Sequence, residues 1–488
     1  MAGRAHRRSA LLAAAVAVLA FVPESTAVAA APEPPSRLVA SGAVTVERPA
    51  GGAVRLDTGT HVVAGNAPFE VRATRASYAE PIVARQLVRV GGRRREVTLP
   101  PGLVTDFGGL TAFTHLSLRD AAGNAVAELD ETFCPNGDAV RTRPDAPATS
   151  PYPRRCASFA PFALGAVWGI QAGWSVRTSP PPWAATPLFI EDGTYTAVVS
   201  VNQPYRDLFG FPPGQSSATV QVTVRTVTPL GVTAAPHSHS HADNSLTPAT
   251  GRPAGARGVP AGPRPDLRAL PAFSIYPSYD EAGNRDHVAF AATVWVAGTA
   301  PLVVEAFRRP DQDVMDAYQY FYDTRGRQVG SAPVGTMRWD PRDGHHHWHF
   351  TDFAQYRLLD ADKKVAVRSG KEAFCLANTD AIDYTLPHAN WQPVNTDLST
   401  WCGNASALAV RQALDVGNGD TYHQDLPGQS FDITDLPNGT YHIEIVANPN
   451  HALHERTTAN NTALREIVIG GTPGDRTVEV PPLGLVDA

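Results

Sequence analysis

Three histidines at alternate positions, His345, His347 and His349, lie in the run Asp343-Gly-His-His-His-Trp-His-Phe. An aromatic and apolar pattern (Phe353, Tyr356, Leu358) follows and reads as β-structure. On an extended strand alternate side chains leave the same face, about 6.5–7 Å apart along the chain. Three imidazoles on one face can converge on one ion at about 2.0–2.1 Å, the usual metal–nitrogen distance. An all-imidazole set suits copper, zinc, nickel or iron, and copper(II) binds tightest in the general affinity order. His346 and Trp348 then face the other way. Two further residues matter downstream: Lys371, three positions before Phe374, and Tyr422, in Gly419-Asp-Thr-Tyr-His. By type and spacing alone a strand lysine is a solvated side chain and a strand tyrosine is packing.

These residues need β elements to hold them, and the composition supplies them. The chain has 43 prolines and 40 glycines but only 18% charged residues, which suits many short strands and turns rather than long helices. With 488 residues it exceeds one core, so two or three domains are expected. The start reads as an export signal over residues 1–30. It has Arg4, Arg7 and Arg8, an apolar run from Ala10 to Val22, and Ala27-Val28-Ala29 as the cleavage site. The apolar run is short for a bilayer span, so release outside the cell is expected. Removing it takes away three arginines and Glu24 and moves the formal net charge from −6 to −8. A mildly acidic chain has no electrostatic footprint for nucleic acid or an anionic membrane surface.

Four cysteines in an exported chain read as two disulfides, Cys134–Cys156 and Cys375–Cys402. Their surroundings repeat. Leu116-Ser-Leu-Arg-Asp120 precedes Phe133-Cys134, as Tyr356-Arg-Leu-Leu-Asp360 precedes Phe374-Cys375. The interval from Cys156 to the Gly193-Thr-Tyr motif equals that from Cys402 to Gly439-Thr-Tyr. The pattern predicts an all-β chain of tandem β-sandwich-like domains from an internal duplication. The expected divisions are a first copy over 34–228, a linker over 229–265, a second copy over 266–472 and a tail over 473–488. The linker carries His237, His239 and His241, a second alternating triplet with no strand pattern behind it, read as solvated. Aligned on Asp120 and Asp360, the first copy has Thr105, Phe107 and Gly109 at the triplet, Asp130 in place of Lys371 and Val176 in place of Tyr422. The first copy is therefore a degenerate repeat without the metal site.

Taken in order, the triplet before Asp352-Phe-Ala-Gln-Tyr-Arg-Leu-Leu-Asp360, Lys371-Glu-Ala-Phe-Cys-Leu376, Gly419-Asp-Thr-Tyr422, Phe431-Asp-Ile-Thr-Asp-Leu-Pro-Asn-Gly-Thr-Tyr441, Asn448-Pro449 and Glu455…Asn460-Asn461 closely resembles the lysyl oxidase catalytic domain. Asp266-Leu267 and Val288 to Val304 resemble its entry strands. The chain has fewer cysteines than the animal members and Arg342, Asp343 and Gly344 where those carry a further histidine, as in a distant, bacterial-type branch. The resemblance implies copper(II) on His345, His347 and His349. It also implies lysine tyrosylquinone, an organic cofactor made by cross-linking Lys371 to Tyr422. The implied activity is a secreted, copper-dependent amine oxidase. It would oxidise a primary amine (free, peptidyl or protein lysine, or a polyamine) with molecular oxygen, giving aldehyde, ammonia and hydrogen peroxide. Asp420, two before Tyr422 and so on the same strand face, is the candidate base, and Asp352 is the other. Two rival readings are a non-enzymatic, secreted metal-binding or cell-surface β protein, and a three-histidine zinc hydrolase.

Overall fold

Period-two alternation along Gly193–Val201 places Tyr195, Ala197, Val199 and Val201 on a buried face. That strand is the middle of a five-stranded sheet whose order is Ala43–Pro49, Ser217–Val227, Gly193–Val201, Leu110–Arg119 and Ala125–Phe133. A second five-stranded sheet runs Asp475–Glu479, Thr462–Thr472, Gly439–Ala447, Ala354–Leu359 and Val365–Arg368. The structure, a computed structural model, describes residues 35–90, 93–156, 159–180, 184–227, 258–323, 325–342, 346–369, 371, 373–393 and 402–486. The export signal and the linker histidines His237, His239 and His241 lie outside them. Among the described residues there are one short α-helix, Gln203–Phe209, and one turn of 3-10 helix, Pro213–Gln215, and the rest is strands, turns and loops, so the chain is all-β as the composition predicts.

The two sheets share details beyond strand order. Leu118 faces Ala197 in one, and Leu358 faces Ile443 in the other. Tyr195 donates its hydroxyl proton to Glu191 O and Tyr441 to Pro437 O, both at 2.8 Å. Asn202 N–H reaches Phe113 O at 2.8 Å, and Asn448 N–H reaches Phe353 O at 2.7 Å. The fifth strands differ. Ala43–Pro49 runs parallel to its neighbour and Asp475–Glu479 antiparallel, the latter inside the stretch read from sequence as a tail.

The second half adds two sheets that carry the site. One has the order Ala373–Phe374, His347–Thr351, Gln328–Asp340, Val314–Tyr322, Leu302–Arg308 and Ala409–Leu414. The other pairs Asn418–Tyr422 between Arg285–Val296 and Asp380–Ala381. One large core joins them, with Phe290, Trp348, Phe350, Tyr356 and Phe374 fully buried.

The halves are not beads on a string: Pro34–Ala488 is one compact unit. Ala160 and Phe162 of the first half pack among Leu270, Phe273, Trp295 and Ile382. Leu164 and Gly165 donate N–H bonds to Ile382 O, and Tyr384 returns one to Gly165 O at 2.9 Å. A Cβ at Gly165 would sit 2.2 Å from Asp383 Oδ1, so this close approach needs glycine. The end of the stretch read as a linker is anchored as well, through a bridge from Gly258 to Ser331 and a bond from Arg456 N–H to Pro265 O at 2.8 Å. Composition identifies a proline- and glycine-rich segment but not the backbone partners its last residues find.

Candidate active site

The strand His347–Thr351 is fixed from behind. Trp348 is fully buried. Its backbone N–H reaches Cys402 O at 2.9 Å, its indole N–H reaches Asn404 O at 2.9 Å, and its carbonyl accepts from Gln412 at 2.8 Å. The Arg308 guanidinium lies 5.2 Å from its ring centre. Locking Trp348 on one face aims His347 and His349 from the other, as the alternation predicts. The two Nε2 atoms stand 2.8 Å apart and the ring centroids 4.7 Å apart. Asp340 Oδ2 lies 3.3 Å from His349 Nδ1, so a carboxylate holds the ring from its far side. Arg342 grips both oxygens of Asp340, and these hydrogen bonds hold its carboxyl well below the usual carboxylate range. His345 lies outside the described residues. His346 is exposed with φ 46°, so the strand begins at His347, and the register argument covers two of the three histidines. Among the described residues no group of three His, Cys, Asp or Glu side chains is placed to hold a metal ion.

Lys371 is not the solvated strand residue that its type suggests. It lies in the break between strands Val365–Arg368 and Ala373–Phe374 and is only 7% exposed. Its backbone N–H reaches Ser369 Oγ at 3.1 Å, and Ser369 Oγ donates to Gly428 O at 2.8 Å. The Lys371 amine then stands 4.3 Å from the centre of the Tyr422 ring and 5.4 Å from that of Phe374. Burial lowers its pKa to about 8, against the opposing pull of Asp420, with smaller effects from Arg342 and Asp340. Those last two influences tie the lysine to the group that holds His349.

Tyr422 ends the strand Asn418–Tyr422. Its oxygen accepts from Cys375 N–H at 2.7 Å and donates to Cys375 O at 3.0 Å. Phe374 packs edge-on against the ring at 5.0 Å. The Cys375–Cys402 disulfide joins this backbone to the one that holds Trp348, and Cys134–Cys156 closes the corresponding loop in the first half, so both predicted disulfides form. The arrangement presents a lysine amine face-on to a phenol, and the strand that follows the lysine pairs with the one that bears the two converging imidazoles. A lysyl oxidase family model matches residues 321–474, a span that includes all of these groups.

Residues 321–474 are a lysyl oxidase domain.

Pig protein-lysine 6-oxidase (Sus scrofa) is 33% identical over 131 residues, 26% of this chain and 46% of that protein. The chicken enzyme (Gallus gallus) is 32% identical over 172 residues, 34% and 37% of the two chains. Chicken lysyl oxidase homolog 2 is 30% identical over 128 residues, 26% and 15%. The chain thus spans less than half the length of each of these relatives.

Within the lysyl oxidase domain, Asp420 is 3% exposed, and its Oδ2 has no hydrogen-bond partner among the described residues. Burial pushes its carboxyl well above the ordinary range, against the nearby Lys371. Burial likewise pushes the Tyr422 phenol well above its usual value, helped by Asp420. Asp352 sits in the turn after Thr351 with φ 60° and is partly buried. The sequence reading missed Asp340 as the partner of His349, although an acidic residue at the strand end before a histidine cluster is a usable signal. It also missed Ser369 and Gln412. These act through backbone bonds between segments distant in the chain, and no local pattern announces them.

Proposed function

We propose that the chain is a secreted, copper-dependent amine oxidase that converts primary amines to aldehydes with release of ammonia and hydrogen peroxide. The observation that carries the reading is the buried Lys371, whose amine stands 4.3 Å from the centre of the Tyr422 ring, in the segment whose next strand pairs with the one bearing His347 and His349. A lysine amine set face-on to a tyrosine in a water-poor site brings the two side chains into direct contact.

The residues fit the implied groups. The Nε2 atoms of His347 and His349 stand 2.8 Å apart, so both could be held by one metal ion. His345, His347 and His349 would hold copper(II), with Asp340 orienting His349. Lys371 and Tyr422 would form lysine tyrosylquinone. Together these groups supply the two-electron acceptor that ordinary side chains lack.

The chain's own residues do the rest. Burial keeps the Lys371 nitrogen able to lose its proton near neutral pH, so a neutral nucleophile is available for the cross-link. Cys375 holds the Tyr422 oxygen through both its N–H and its C=O and fixes the ring plane. Asp420, buried beside the lysine, takes the proton from the carbon bearing the substrate nitrogen, and its raised pKa brings it toward the working pH of a base. Asp352 is the alternative base. The units 34–228 and 266–472 are read as copies of one ancestral domain, a reading supported by their shared registers and tyrosine bonds.

Copper-loaded, aerobically matured protein should show a visible quinone band and give peroxide from a primary amine. Stoichiometric copper with neither signal would favour the non-enzymatic metal-binding reading. Zinc retained in its place with hydrolytic activity would favour the hydrolase.

A further inference from the structure

The chain after Tyr422 leaves one strand and returns to it. Tyr422 is paired with Ala292 of Arg285–Val296, and Ser430 is paired with Ala289 of the same strand. Residues 423–429 between them make two successive turns, closed by Leu426 N–H to His423 O and by Gln429 N–H to Leu426 O, both at 3.1 Å. Asp425, Leu426, Pro427 and Gly428 are exposed, whereas Gln429 is fully buried.

This loop touches both partners of the proposed cross-link. At its buried end, the Gln429 amide donates to Tyr422 O at 3.0 Å and to Phe290 O at 3.3 Å, and Phe290 N–H returns a bond to Gln429 O at 3.0 Å. At its exposed end, Gly428 lies over the lysine. Its carbonyl takes the Ser369 hydroxyl, which in turn accepts from Lys371 N–H. Gly428 has φ 83°, and a Cβ built on it would stand 2.9 Å from Lys371 Cβ and 3.7 Å from Lys371 Cα. Those atoms are the root of the lysine side chain, fixed by its backbone, and cannot yield as the tip of a flexible chain can. Gly326, at φ 71°, has the same need for glycine in its backbone but nothing within 4 Å. The close approach therefore marks Gly428 out. A free lysine side chain has several rotatable bonds and brings its nitrogen to one ring face in a small share of its conformations. Fixing its root and the backbone of the ring through one loop raises that share.

We propose that Gly428 and Gln429 are positioning residues for cofactor formation, and that the loop 423–429 sets the rate at which Lys371 and Tyr422 cross-link. This rests on the proposed site at those two residues. The step joins the Lys371 nitrogen to a ring carbon of Tyr422 and adds one oxygen atom to the ring. The nitrogen gives up one hydrogen and the ring three. Two molecules of oxygen are the oxidant, and water and hydrogen peroxide leave, one of each. The loop supplies no atom to this chemistry and acts through the placement of the lysine.

The test uses full-length protein prepared without copper. Copper(II) is added in air, and quinone absorbance is followed against time over a range of pH, with bound copper measured alongside. Gly428→Ala should bind copper stoichiometrically but slow the appearance of quinone about ten-fold or more. Because the added methyl displaces the lysine toward water, the pH midpoint of that rate should also move up from about 8. Gly326→Ala, which imposes the same backbone strain away from the lysine, should leave the rate and the midpoint as they are. Ser369→Ala removes the hydroxyl between Gly428 and Lys371 and adds no atoms. It should slow quinone appearance about three-fold or more, and it carries the test by itself if Gly428→Ala does not fold. Quinone appearing in Gly428→Ala as fast as in Gly326→Ala, or in Ser369→Ala as fast as in the unaltered protein, overturns the inference and leaves the site reading standing. Absence of quinone from the copper-loaded, unaltered protein overturns both.

Discussion

Two stretches at matched places in the halves, Ala125–Phe133 and Val365–Phe374, put one backbone register to opposite uses. In the first, a single strand runs unbroken along Leu110–Arg119 to Phe133. Asp130 therefore projects to solvent, where it bonds His115 at 3.0 Å and Asn202 at 3.1 Å. In the second, the strand stops at Arg368, and Ala373–Phe374 joins a different sheet beside His347–Thr351. Lys371, at the position of Asp130, falls in the gap and turns inward over Tyr422. Val176, which the sequence repeat sets against Tyr422, is fully buried in the core of the first half. The difference teaches that a broken strand makes the site as much as the swapped side chains do. A continuous strand would leave the lysine in water at its ordinary pKa.

The sharpest way to break this comparison is to remove the inward pair. Lys371→Ala and Tyr422→Phe should each bring quinone absorbance and peroxide production to background with copper still bound, while Asp130→Ala should change neither. Metal loss comes next. His347→Ala and His349→Ala should each abolish stoichiometric copper by elemental analysis. His115→Ala, at an exposed first-half histidine bonded to Asp130 and Glu128, should retain it, as should joint replacement of His237, His239 and His241.

Quinone formation should follow the buried lysine. Burial disfavours its ammonium, so the neutral amine that attacks the ring prevails above about pH 8 rather than above 10.5. The initial rate of quinone appearance should rise through about pH 8. Asp420→Asn should move that midpoint lower, because the carboxylate favours the ammonium. A midpoint near 10.5 would mean that the lysine is solvated. The smallest contrast lies in the disulfides. Cys134→Ser with Cys156→Ser, and Cys375→Ser with Cys402→Ser, should each cost about 2–4 kcal/mol in denaturant unfolding. Only the second pair should also lower quinone yield, since Cys375 holds Tyr422 and Cys402 O holds Trp348.

Much of this was legible in the chain itself. Alternation and turn residues carry the all-β class, because each strand buries one face against a core. His347 and His349 were readable because strand period alone puts them on one face, whereas the positive φ at His346 is a backbone event that the histidine run conceals. Lys371 and Tyr422 were found by resemblance, since their spacing holds no geometric reason for meeting. Asp340, Ser369 and the approach of Gly428 to Lys371 depend on contacts between distant segments. How closely the halves pack was not readable from the chain, because composition describes solvation and not partners.

The central claim is that Lys371 and Tyr422 become one covalent unit, and the most direct measurement is a peptide map by mass spectrometry of copper-loaded, aerobically matured protein. The account predicts a single cross-linked species joining the peptide that contains Lys371 to the one that contains Tyr422, absent from protein matured without copper. Recovery of both peptides unlinked and unmodified from copper-loaded protein that oxidises amines would contradict it.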